Sequence, residues 1–254
     1  MRSGSLLLAL ITLALVASPS WSDSVGDWYA SDPRSLAYRD MRGEIGLIFA
    51  EGGRLHLPQQ LLLSKLREGE AKGVSSERLV KCLRGELGRL QLARVIVQQA
   101  GFGGSFLFPI SDETLNEVAF YLRGGLSEQL VGELMTKAAT GHVGAEAALA
   151  ACDAIMDLRS VAPIEDSDSL QIGRLLLASG LHPSGYASLA LVYGLGRSRG
   201  LSHDALVHDV IINTLSGGGG YGIMNQKIKS IPIAGPLPPP DSAVKAIKTS
   251  KGER

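Results

Sequence analysis

Asp204 and His208 come nearest, in type and spacing, to a pair that could do chemistry in this 254-residue sequence. Residues four apart on a helix share a face, and a carboxylate beside an imidazole is a common unit of general acid–base catalysis. Most such helical pairs are solvated ion pairs worth a few tenths of a kcal/mol. They stand as the candidate acid/base pair, and no residue is assigned as catalytic. The remaining histidines are His56, His142, His182 and His203. A helical metal pair wants histidines at i and i+4, whereas His203 and His208 are five apart. His182 and His203 fall at opposite ends of the helix expected between them, about 25 Å apart at helical rise. No metal site is expected.

Other clusters carry less. Glu165, Asp166 and Asp168 form the only dense group of carboxylates, but just before a helix they serve capping and the helix dipole. The D-x-D-x-D-G spacing and closing glutamate of a calcium loop are missing. Gly194 to Gly200 has the wrong spacing for a dinucleotide fingerprint and follows a helix, not a strand. Gly217 to Gly220 lacks the Gly-Lys-Ser/Thr ending of a phosphate loop, and Gly101 to Gly104 leads to no phosphate-binding residues. No G-x-S-x-G elbow is present. No cofactor is expected.

Two cysteines allow two readings. Cys82 flanks the apolar stripe Leu79, Leu83, Leu87, Leu90, and Cys152 lies on the stripe Leu149, Cys152, Ile155, Met156. Each suits a small core residue. A Cys82–Cys152 disulfide would close a loop of about 70 residues, worth roughly 4 kcal/mol in the chain-entropy model. No C-x-x-C motif favours a catalytic thiol.

The compartment decides between those readings, and the N-terminus addresses it. Arg2 precedes an apolar run from Leu6 to Val16 broken only by Thr12, and Ser20-Trp21-Ser22 sets small residues where a signal peptidase inspects. The run is shorter than the ~20 residues of a membrane span. Residues 1–22 therefore read as a secretory signal. The mature chain is expected to be exported, periplasmic or extracellular, in an oxidising environment, without a transmembrane segment. Basic and acidic side chains balance at 25 each, which gives no electrostatic footprint for nucleic acid.

What positions these residues is helical. Leu, Ala and Gly abound while aromatics are 5% of residues, a composition that favours helix over sheet. Four joints share one form: Gly73-Val74-Ser75, Gly125-Leu126-Ser127, Gly180-Leu181-His182 and Gly200-Leu201-Ser202. Glycine suits the left-handed position past a helix end. Ser or His then caps the next helix, and the apolar residue between them meets another five residues on. Spacings of 52, 55 and 20 residues give no strict repeat. The expectation is an all-α fold, a repeat-like stack or irregular bundle of short antiparallel helices over residues 58–215. Residues 23–57 are poorly defined, with a short helix from Asp32-Pro33 through Met41 and an unclassified apolar run from Ile45 to Phe49. Residues 216–254, rich in glycine and proline, read as a flexible, disordered tail. Ile228, Ile231 and Ile233 are its candidate docking anchors.

Without a catalytic spacing, the reading is a non-enzymatic protein-interaction module whose partner is an unidentified envelope protein. The alternatives are a carrier of small apolar ligands and a helical enzyme with sequence-distant acid/base residues.

Overall fold

The computed structural model describes residues 22–102 and 110–231, and every regular element among them is helical. Apart from Ser22, the expected leader lies outside the described residues, as do Ile233 and the rest of the tail from Pro232. The chain divides into two compact units, Met1–Arg123 and Gly124–Arg254.

The first unit holds α1 (Ser22–Ser31), a 3-10 helix (Pro33–Met41), α2 (Arg42–Arg54), α3 (Gln59–Ala71), α4 (Ser76–Gln99) and α5 (Asp112–Arg123). Asp32 starts the 3-10 helix by accepting from the Arg34 amide, with Pro33 at its first position, where a missing N–H costs nothing. The unclassified run Ile45 to Phe49 is the core face of α2: Ile45, Ile48, Phe49 and Gly52 are all buried. The 24-residue α4 runs unbroken, about 36 Å long at helical rise. Gly85 and Gly88 neither break it nor admit a neighbour, because both are exposed. α4 packs against α2, α3, α5 and the 3-10 helix.

The second unit holds α6 (Glu128–Thr140), α7 (Ala145–Val161), α8 (Asp166–Ala178), a 3-10 turn (Pro183–Gly185) and α9 (Ser188–Ser198). A π-helical stretch (Ala205–Ile212) then runs into the short α10 (Asn213–Ser216), and α11 (Tyr221–Ser230) follows. Its core is alanine-rich α7, packed by α6, α8 and α9. The reading of residues 216 onward as flexible tail departs from the structure through Ile231. α11 folds back on α9, burying Met224 and Ile228 one turn apart, and Arg199 Nη1 donates to the Ile228 carbonyl at 2.9 Å. Two apolar side chains on one helical face outweigh the glycine run before them.

Six joints share one hydrogen-bond pattern, whereas at Gly180 the Leu181 amide donates to the Ser179 hydroxyl. A residue in the left-handed region closes each helix, and the next amide donates to the carbonyl five residues back, the 6→1 bond of a Schellman cap. This holds for Leu57→Gly52, Val74→Gly69, Phe102→Val97, Val143→Ala138, Leu201→Gly196 and Gly219→Thr214, at 2.8–3.1 Å. The left-handed residue is glycine in four of these but His56 (φ 49°) and His142 (φ 56°) in the others. Ser75, Ser127 and Ser202 then accept the amides of Arg78, Leu130 and Ala205 as N-caps.

Candidate functional site

The candidate acid/base pair sits at the start of the π-helical stretch, Asp204 just before it and His208 within it. Asp204 and His208 are both exposed, and no hydrogen bond or ion pair joins them among the described residues. His208 turns instead to α8, where its Nε2 lies 3.9 Å from Asp168 Oδ2. Asp166 pairs with Arg159 of α7, whose Nε also donates to the buried Ser169 at 2.9 Å. That guanidinium, with the Ser127 hydroxyl second, holds the Asp166 carboxyl below its ordinary range. Asp166 therefore ties α8 to α7, while Glu165 at the N-cap makes no side-chain capping bond. His203 Nδ1 lies 3.1 Å from the Tyr193 hydroxyl, and His182 Nδ1 accepts the Ser184 amide. No group of three or more metal-ligating side chains converges among the described residues.

Both cysteines are free thiols, so the Cys82–Cys152 disulfide is absent from this structure. Cys152 is fully buried as expected, and burial pushes its thiol pKa well up. Cys82 is exposed, a correction to its placement as core: it sits at the edge of a stripe whose centre is Leu79, Leu83, Glu86 and Leu90. Of the tail anchors, Ile228 is fully buried against its own unit, Ile231 is half-buried, and Ile233 lies outside the described residues. Ile228 thus docks within the chain itself.

A constellation that sequence reasoning missed sits in the first unit. It begins with Glu70, nine-tenths buried on α3. Its Oε2 accepts the indole N–H of Trp28 on α1 at 2.9 Å, while its Oε1 is buried without a partner. Trp28, 5% exposed, meets the ring of Tyr29 edge-on with centroids 4.6 Å apart. The Tyr29 hydroxyl donates to the Tyr38 carbonyl at 3.2 Å, which pins the ring to the 3-10 helix. Burial raises the Tyr29 pKa, opposed by the charge of Arg42. Finally the Arg42 guanidinium, from the first residue of α2, stands over the Tyr29 ring at 5.1 Å, a cation–π contact.

Beside this chain of contacts lies a groove of about 190 Å³ between α1 and α2. Val25, Tyr29, Phe49 and Ala50 give it apolar walls, Arg42 lines it with charge, and Gly26 and Gly46 contribute no side chain. A Cβ at either glycine would meet nothing within 4 Å, so their hydrogens leave the groove open. Arg42 makes no ion pair among the described residues, and Glu44, the nearby acid of α2, is taken by Arg84 at 2.6 Å.

One signal for this site was present in the sequence. Glu70 falls one turn beyond Leu66 on the stripe Leu62, Leu66, Gly69, where a charged side chain must find a buried partner. What the sequence lacked was the partner, 42 positions away. Comparison with protein-family models, curated proteins and solved structures finds no match to the chain.

Proposed function

We propose that the chain is an exported, non-enzymatic interaction module of the periplasm or cell envelope, which holds another protein against an outward face of its helices. The observation that carries this reading is Leu47 on α2, 71% exposed and the most exposed of the large hydrophobic side chains described. It stands next to Gly46 of the groove. Leu36, 58% exposed, projects from the adjoining 3-10 helix. Apolar side chains left in water on two elements that pack against each other support a contact face. The leader-like N-terminus supports export. The enzyme alternative keeps Asp204 and His208 as its candidate pair, and the carrier alternative has the groove in its favour.

A photo-crosslinking residue at position 47, with a second at the exposed Leu191 of the other unit as control, tests the reading in cells making the full chain. A single discrete adduct from position 47 that Leu36→Asp in the same chain abolishes, and that position 191 does not give, supports it. Identical adduct patterns from both positions would rule this face out. Cell fractionation tests export directly, and a cytoplasmic full-length chain would end the compartment reading.

A further inference from the structure

We infer that the groove between α1 and α2 binds a small carboxylic acid with a compact apolar body, a branched aliphatic or single-ring aromatic acid. This stands apart from the protein-contact reading. Size comes first. An apolar cavity of about 150 Å³ holds a benzene-sized molecule, so 190 Å³ accommodates one ring or branched chain with a short extension. The lining then sets the chemistry. Phe49, Val25 and the Tyr29 ring offer apolar contact, and the open positions over Gly26 and Gly46 let a ligand approach backbone.

Charge selects the head group. A guanidinium presents paired N–H donors in a fork that matches a carboxylate. Arg42 is the charged side chain lining the groove, and none of its side-chain donors is used among the described residues. Its position is biased before any ligand arrives by the cation–π contact with Tyr29, which is held by the Tyr38 carbonyl and by Trp28, itself held by Glu70. Such a bias lowers the ordering cost of binding. The Tyr29 hydroxyl is already engaged and Glu44 is bound to Arg84, so neither competes for the guanidinium.

Calorimetric titration of the full chain with phenylacetate and 4-methylpentanoate, against phenylacetamide and 4-methylpentanamide, tests this. The expected result is saturable one-to-one binding of the acids, with the neutral amides at least tenfold weaker. Arg42→Gln should bring the acids down to the level of the amides. Gly46→Leu, whose Cβ would stand in open space at the groove, should abolish both, with circular dichroism checking that the fold is kept, and retained binding there would overturn the inference. Equal affinity for acid and amide, full acid affinity in Arg42→Gln, or no binding of any probe would each overturn the inference. So would binding confined to peptides ending in leucine or phenylalanine, which would make the occupant a polypeptide C-terminus.

Discussion

Leu79 lies across the backbone of Gly69 so closely that a Cβ at position 69 would stand 2.5 Å from Leu79 Cδ1. Gly196 and Leu206 repeat the relationship at 2.1 Å. Both belong to one pattern, Gly-x-x-x-Gly-apolar-Ser-x-x-x-Leu, at 69–79 and at 196–206. The first glycine is the helix residue whose carbonyl takes the 6→1 bond, and the leucine is the residue that closes over it. Gly69→Ala gains about 1 kcal/mol of helix propensity but overpacks a contact with a side chain 1% exposed, typically 1–3 kcal/mol. A net loss of about 1 kcal/mol is expected in urea unfolding. In a Leu79→Ala background the same change should be neutral or stabilising, because the clashing atom is gone. Gly88→Ala, exposed on α4, serves as the control that stabilises.

Glu86 is a charge buried to 1% exposure, held by Arg89 at 2.9 Å and by Arg123 of α5 at 2.7 Å. Arg89 pairs with the carboxylate from within α4, and Arg123 joins α5 to it inside the first unit. Removing one member of a buried ion pair costs about 3–5 kcal/mol when the other is stranded. Here both arginines reach solvent, so Glu86→Ala is expected to cost about 2–3 kcal/mol. Arg123→Met, which leaves Arg89 in place, should cost less. Equal losses in thermal unfolding would show that the two arginines do not share the carboxylate.

The cysteines separate cleanly by reactivity. Cys82 is exposed, whereas Cys152 is fully buried with its thiol pKa raised by desolvation. The thiolate is the reactive form, so Cys152 is protected both by access and by protonation. Colorimetric thiol titration of the reduced full chain should find one fast-reacting group in the native state and two in denaturant. Cys82→Ser should leave none reacting quickly. Two fast thiols in the native chain would contradict the burial of Cys152.

Acid sensitivity follows from Asp166. Its carboxyl is held below the ordinary range by Arg159 and then by Ser127. A folded pKa below the unfolded one contributes stability that is fully present above the unfolded value, about 3.9, and is lost as pH falls through the folded value. Asp166→Asn should therefore be less stable than wild type at pH 6, by under about 1 kcal/mol for so exposed a pair. The gap should close as pH falls from 4 toward 2. A constant gap across that range would show that the charge contributes nothing.

Fold class was legible because it rests on local rules. Ser75, Ser127 and Ser202 cap helices from positions readable in the chain, and glycines 73, 125, 180 and 200 all take positive φ. That His56 and His142 take the left-handed positions escaped, since a left-handed histidine has no sequence signature apart from its helix end. α11 escaped because its flanking glycines and prolines outweighed Met224 and Ile228 when composition alone was read. The groove was harder still. Its walls come from α1 and α2 and its bracing from α3 and the 3-10 helix, and only tertiary packing brings Trp28 to Glu70.

Trp28 is where the fold of the first unit and its groove become one question. Trp28→Phe keeps most of the ring's volume but removes the indole N–H, leaving Glu70 Oε2 without the donor that Oε1 already lacks. A buried acceptor stripped of its partner costs about 1–3 kcal/mol. A loss of that size is expected in urea unfolding, and Trp28→Phe with Glu70→Leu should recover part of it by removing the stranded carboxyl as well. The Tyr29 ring loses its edge contact in register, so Arg42 should lose its place above it. Phenylacetate binding is then expected to weaken several-fold in Trp28→Phe at temperatures where the variant remains fully folded. Unchanged affinity there would mean that Tyr38 alone fixes Tyr29, and that the indole stabilises the helices without shaping the groove.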